Sequence, residues 1–239
     1  MVQGGKGFRR VGVLGGMGPE ATVLLMQRLI AAVPAQDDAD HIPLIVDQNP
    51  QVPSRLRRLI DGTGDDPAPV LVAMAQRLQA AGAQALAMPC NTAHHYAPAI
   101  RAAVAVPFLD MVALSVARAQ TLAGAGARVG ILASPAVRRI GLFDPVFAAA
   151  GLVPVYAEDD AIMLSIIRRI KAGGADDTSR AGLRAASAGL LARGAGVQMI
   201  ACTEFSLIAD AVAPQAQVFD TLDCLVQAIV AFATTDQPA

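Results

Sequence analysis

Two cysteines carry the most specific chemistry this sequence could perform. Cys90 stands in "LAMPCNTAHHY" (86–96) and Cys202 in "QMIACTEFSL" (198–207). Each follows a short apolar run and precedes a helix start, with Asn91 and Thr92, or Thr203 and Glu204, placed to cap it. A free thiol has a pKa of about 8.5, and the unpaired N–H groups of a helix N-terminus lower it. Two thiols on opposite faces of a bound substrate can do stereochemical work. One thiolate takes a proton from a carbon centre and the opposite thiol returns one from the other side. The result is inversion, which requires neither a redox cofactor nor a metal. Buried cysteine also serves as a small hydrophobe. Cys224, inside the apolar pattern "TLDCLVQAIV", reads that way.

The elements that must position these thiols are legible as alternation. Short apolar runs at 10–15, 43–47, 85–88, 128–133, 153–156, 197–202 and 217–220 read as strands. Helical patterns near 19–33, 66–81, 94–105, 111–125, 135–150, 158–172, 176–194 and 221–233 lie between them. Runs buried on both faces and separated by helices indicate an α/β fold with mainly parallel sheets. Such sheets place ligands at the carboxyl ends of their strands, where both thiols fall.

An internal echo sharpens this organisation. "RRVGVLGGMGPEA" resembles "ARVGILASPAVRR", "GAQALAMPCNT" resembles "GVQMIACTE", and "VPFLDMVALSVARA" resembles "QVFDTLDCLVQAI". The three pairs keep one order at offsets of about 110–118 residues. Two pseudo-symmetric α/β domains with a cleft between them are expected, with Cys90 and Cys202 as equivalent positions on opposite walls. Because the third pair suggests crossing segments, the first domain is expected to span 1–112 plus 214–239 and the second 113–213.

Composition excludes several classes. In 239 residues, 54% are apolar and 16% charged, so the chain is not disordered. The net charge of −1, without a basic stripe, excludes the footprint of a nucleic-acid binder. No apolar stretch reaches the ~18 uninterrupted residues of a membrane span. Three widely spaced cysteines form no disulfide framework. With no secretory pattern at "FRRVGVLGGMGPE", a cytoplasmic protein with free thiols is expected.

The motifs "GGMGPEAT" (15–22), "PCNTAH" (89–94) and "CTE" (202–204), in this order, resemble the aspartate/glutamate racemase superfamily. The resemblance covers essentially the whole chain and is nearest to the PLP-independent aspartate racemases. It implies a cofactor-independent amino-acid racemase of acidic substrates, most of all aspartate and otherwise glutamate, and makes a homodimer the expected assembly. It also implies a cysteine from each domain acting as acid and base, here Cys90 and Cys202. Asn91, Thr92 and Thr203 would bond the substrate α-carboxylate and the developing charge. Gly16, Met17 and Gly18 would border the cleft. "NPQVPSR" (49–55) resembles the segment that grips a distal carboxylate, which makes Asn49 and Arg55 candidates. Without the resemblance Arg55 reads as a surface arginine, as Arg57 and Arg58 do. Lys171 is similar to a family lysine near the second half's cleft, and equally reads as a cation at a helix C-terminus. Glu204 and His94 would support the site.

Departures from the pattern bear on substrate. Ala201 stands where the family commonly has glycine. The Asp-Ser pair typical of glutamate racemases is replaced by Gly15-Gly16, and their histidine after the second Cys-Thr by Glu204. This favours the aspartate-type branch. Related branches include maleate isomerases and arylmalonate decarboxylases, so both remain alternatives.

Other chemistries read less well. Gly16, Gly18 and Ala21 formally satisfy a dinucleotide fingerprint, but Asp37, Asp38 and Asp40 precede the second strand, and Asp47 lies too far on. Pro19 at a helix start needs no nucleotide to explain it. Cys90 with His94 or His95 could form a nucleophile–base pair, yet no orienting third residue is apparent. No CxxC or HxxxH spacing suggests zinc. A PLP enzyme needs a Schiff-base lysine, and only Lys6 and Lys171 exist. The non-enzymatic alternative is a dicarboxylate-binding module using Arg55 and the threonines, which has no need of two cysteines.

Overall fold

A computed structural model describes residues 7–173 and 175–235; Lys6 lies outside them. The described residues form two four-stranded parallel sheets flanked by helices. The first contains β1 (Val11–Gly15), β2 (Leu44–Gln48), β3 (Ala85–Ala87) and β4 (Phe108–Leu109), in the order β2-β1-β3-β4. The second contains β5 (Arg128–Ala133), β6 (Val153–Tyr156), β7 (Val197–Ala201) and β8 (Gln217–Asp220), in the order β6-β5-β7-β8. Each echoed sequence pair therefore occupies the same place in the two sheets: β1 with β5, β3 with β7, β4 with β8. The central strands β1 and β3 are wholly buried, which is why they read as unbroken apolar runs rather than alternating ones.

The helices are α1 (Pro19–Ala32), α2 (Ala68–Ala80), α3 (Ala97–Ala103), α4 (Met111–Ala123), α5 (Pro135–Arg139), α6 (Asp144–Ala149), α7 (Asp160–Lys171), α8 (Asp177–Ala192), α9 (Thr203–Ser206) and α10 (Thr221–Thr234). Two departures from the sequence pattern have local causes. The helix expected over 135–150 is two helices, interrupted where Gly141 adopts φ +59°. The helix expected from 94 begins as a 3-10 turn, Thr92–Tyr96, that passes into α3.

The halves exchange helices. After β4 the chain enters α4, whose Val112, Val116 and Ala119 pack against Val129 and Met199 of the second sheet. After β8 it enters α10, whose Leu222, Leu225 and Ile229 pack against Val11, Val13 and Ala87 of the first. Both helices start on an aspartate cap. Asp110 accepts from the N–H of Val112 at 2.9 Å, and Asp220 from that of Leu222 at 2.9 Å. Both crossings follow the fourth strand of a sheet, β4 before α4 and β8 before α10. Residues 217–220 pair with β7, Met199 opposite Phe219, so the stretch that returns to the first half is α10. Among the described residues, no helix is long and apolar enough to cross a membrane.

Candidate active site

The first wall of the site is the loop after β3. Pro89 ends the strand run, the Cys90 N–H turns back to the Met88 carbonyl at 2.8 Å, and the Cys90 side chain is 7% exposed. His94 holds this loop. Its Nδ1 lies 2.8 Å from the Cys90 carbonyl oxygen, and its Nε2 accepts the Met111 N–H at 3.1 Å. A donor at Nε2 requires the lone pair there, so Nδ1 carries the proton and the ring is neutral. Burial pushes its pKa below the ordinary 6.5, which agrees with that tautomer. Both nitrogens are committed to backbone, so His94 positions the Cys90 loop and is not a base for its thiol.

The second wall is the turn from β7 into α9. Cys202 is the N-cap, its carbonyl accepting from the Phe205 N–H at 2.8 Å, and its side chain is also 7% exposed. Its Sγ donates to Glu204 Oε2 at 3.0 Å, while Glu204 Oε1 is ion-paired with Lys171 Nζ. Burial, then the Glu204 charge and hydrogen bond, push the thiol pKa well above its ordinary value; Lys171 opposes them in part. Burial works against the Lys171 ammonium, but Glu204 and the two cysteines outweigh it and raise its pKa.

Both thiols line one cavity of about 400 Å³. Gly16, Met17, Gly18, Arg55, Thr92, Lys171 and Glu204 line it with them, so the structure brings together nine of the thirteen residues singled out in the sequence. Gly16 is required where it stands: its φ is +92°, and a Cβ there would overlap the backbone of Asn49. Arg55 Nη1 donates to the carbonyls of Val52 and Pro53 at 3.1 and 3.0 Å, and Nε has no partner among the described residues.

The other four stand behind the wall. His94 acts as described. Asn91 Nδ2 donates to Thr221 Oγ1 at 3.0 Å, fastening the Cys90 loop to the start of α10. Thr203 is buried at the start of α9 and does not line the cavity. Asn49 caps its own turn, Oδ1 accepting from the Gln51 N–H at 3.0 Å.

Several lining residues escaped the sequence reading, Glu20, Ser54, Ser134 and Ile167 among them. Ser134 had a signal, because it follows β5 as the glycine loop follows β1, and the echo aligns the two. Its Oγ is 3.1 Å from Thr92 Oγ1, a hydrogen bond between the halves across the buried end of the cleft. Glu20 and Ser54 had none. Among the described residues, no group of three or more His, Cys, Asp or Glu could hold a metal ion.

The sequence model of the Asp/Glu/hydantoin racemase family matches residues 14–229. The chain belongs to that family. Both cysteines, Arg55 and Lys171 fall inside the matched span. A curated racemase, the broad specificity amino-acid racemase RacX of Bacillus subtilis, is 32% identical over 106 residues. That match covers 43% of this chain and 45% of RacX, less than half the length of either. Among solved structures, the aspartate racemase of Picrophilus torridus superposes with a TM-score of 0.81 at 23% identity, covering 94% of each chain. An aspartate racemase homologue from Pyrococcus horikoshii gives 0.71 at 18%, covering 95% of this chain and 100% of that one. Glutamate racemase from Francisella tularensis gives 0.65 at 15%, with 93% and 80% covered. At these identities the superpositions establish the two-sheet racemase fold and nothing about substrate.

Proposed function

We propose that the protein is a cofactor-independent amino-acid racemase that acts on an acidic amino acid, aspartate first, by proton transfer between Cys90 and Cys202. The observation that carries the reading is the equivalence of the two thiols. They follow corresponding strands, β3 and β7, of two repeated sheets, and they line the same cavity. A thiolate on one wall takes the α-proton, the electron pair remains on the substrate's α-carbon, and the thiol opposite delivers its proton to the other face. Thr92, which lines the cavity, is the candidate to bond the α-carboxylate. Arg55, with an uncommitted Nε, is the group for the distal carboxylate. Asn91 acts through the loop it fastens to α10, and Thr203 is buried in the turn that carries Cys202.

A racemase of wider range is the second reading, and the charge of the lining favours it. Arg55 and Lys171 are matched by Glu20 and Glu204, so the cavity offers no surplus of positive charge to a second carboxylate. The name of the Bacillus relative agrees with that range. A cytoplasmic location and a homodimer go with either reading, and an exposed apolar face of α1, with Val23, Met26 and Ile30, suits an assembly. Light scattering on the purified protein tests the dimer.

Proton NMR of L-aspartate and of D-aspartate in D2O, without added cofactor, tests the activity. Loss of the α-proton together with decay of optical rotation is expected from both enantiomers. Exchange of glutamate and alanine at comparable rates would select the wider range. An α-proton untouched in all three amino acids would reject the racemase reading and leave the binding module; maleate in the same assay reads out the isomerase alternative.

A further inference from the structure

The charged groups of the cavity do not all balance one another. Its lining holds two cations, Arg55 and Lys171, and two carboxylates, Glu20 and Glu204. Lys171 and Glu204 neutralise each other as an ion pair, and Glu204 also accepts from the Cys202 thiol. Glu20 has no such partner. Among the described residues its side chain enters no hydrogen bond and no ion pair. With the Lys171–Glu204 pair set aside, one cation and one anion remain for a ligand, the Arg55 guanidinium and the Glu20 carboxylate.

Glu20 follows Pro19 in the first turn of α1, where the helix dipole favours a negative charge. The dipole accounts for the charge and not for the direction of the carboxylate, which turns back over Gly18. A Cβ built on Gly18 would lie 3.4 Å from Lys171 Nζ, 3.5 Å from Glu20 Oε2 and 3.7 Å from Glu204 Oε1. Gly18 lines the cavity, so two carboxylates and one ammonium converge on one point of its wall. Their local charge is −1. A ligand group that suits this point is small, cationic and a hydrogen-bond donor.

We infer that Glu20 receives the α-ammonium of the substrate, so that the cavity is built for free α-amino acids rather than for acids without a charged nitrogen. This rests on the racemase reading. The ammonium goes to the Gly18 end of the cavity, beside the Lys171–Glu204 pair, and the carboxylates go to Thr92 and Arg55. A zwitterion is thus met by an uncommitted anion and an uncommitted cation. Maleate and arylmalonates carry no ammonium, and for them an unpaired carboxylate in the lining is a repelling charge. The nitrogen stays a cation before and during proton transfer, so Glu20 contributes to binding more than to the chemical step.

The test compares L-aspartate with succinate, the same dicarboxylate without the α-ammonium. Isothermal titration calorimetry on the unmodified protein should show aspartate bound at least about tenfold more tightly. Glu20→Gln keeps the shape of the side chain and removes its charge. In that variant aspartate should weaken about tenfold, a modest loss that suits an exposed carboxylate, while succinate holds or tightens. Turnover should split in the same way, with KM for aspartate rising about tenfold and kcat staying within about threefold. Glu20→Asp, which retains the charge, should keep part of the preference. For a protein of wider range, alanine and propanoate form the equivalent pair.

Equal weakening of the amino acid and its ammonium-free analogue, or an unchanged affinity of Glu20→Gln for the amino acid, overturns the inference and leaves the racemase reading standing. An unmodified protein that leaves the α-proton of aspartate, glutamate and alanine untouched overturns the racemase reading instead, and the calorimetric preference still reports on Glu20.

Discussion

Cys90 and Cys202 follow corresponding strands of a repeated sheet, yet the two walls are built by different means. The Cys90 loop is fixed through its backbone, by His94 bonded to the Cys90 carbonyl and to the first turn of α4. Cys202 is held through its carbonyl by the first turn of α9 and, unlike Cys90, also through its sulfur, by Glu204 and, behind it, Lys171. The repeat thus conserves where the chain turns and not what surrounds the sulfur. Equivalent backbone positions suffice to put two thiols in one cavity, while the polar neighbours decide how each one gives up a proton.

Removing either sulfur breaks the comparison most severely. Cys90→Ala and Cys202→Ala should each lower racemisation of aspartate by about 1,000-fold or more, in line with loss of a positioned acid or base. Deuterium exchange without inversion, followed by NMR, should persist from one face only. Full racemisation by either variant would end the two-base reading.

Arg55→Ala sharpens the contrast between distal and α-carbon recognition. A charged hydrogen bond is worth about 1.5–3 kcal/mol, so kcat/KM for aspartate should fall roughly 10- to 100-fold. The value for alanine should stay within about threefold, and equal losses for both substrates would remove the distal-carboxylate role.

His94→Phe isolates the backbone-held wall. Two buried hydrogen bonds are lost, and about 1–3 kcal/mol of stability should go with them in urea unfolding. The sign of the pH dependence follows from burial, which lowers the folded pKa of His94 below 6.5. Between the two values the unfolded chain binds more protons, so this stability is present above about pH 6.5 and is lost as pH falls toward the folded value. Thermal melts from pH 8 to 5 should show the decline in the natural protein and a flatter curve in the variant.

The smallest effect concerns the bond that joins the walls. A cycle of Thr92→Val and Ser134→Ala should give a coupling of about 0.5–1.5 kcal/mol. No coupling would mean that the two hydroxyls are neighbours without being partners.

Much of this architecture was legible because a buried parallel strand leaves an unmistakable mark. Val11–Gly15 and Val197–Ala201 are short apolar runs between helices, and observed strands match the expected ones to within one or two residues. The echo anticipated strand positions in the sheets. β4 was too short to signal, with Phe108 and Leu109 as its whole length. The break at Gly141 did carry a signal, a glycine with Pro145 four residues on, which the long apolar pattern outweighed.

In the site, cysteines, glycines and Arg55 were found because their types are chemically distinctive or their backbone demands are strict. Asn91, Thr203 and Asn49 show the limit. Sequence spacing places a residue in a loop, but the direction of its side chain is decided by partners 130 residues away, as Thr221 is for Asn91. The Lys171–Glu204 pair, separated by 33 positions, is equally invisible to any local pattern.

The exchanged helices have a consequence for biosynthesis. The apolar face of the first sheet that carries Val11, Val13 and Ala87 is covered by α10, a helix translated only after the whole second half. On the ribosome that face has only α1, through Leu25 and Leu29, and the start of α4 to cover it while some hundred further residues are added, and the part reserved for α10 is an exposed hydrophobic surface of the kind that recruits chaperones or aggregates. Neither half is a unit that can be cut free: deleting α10 would uncover part of one face of a sheet encoded some two hundred codons earlier.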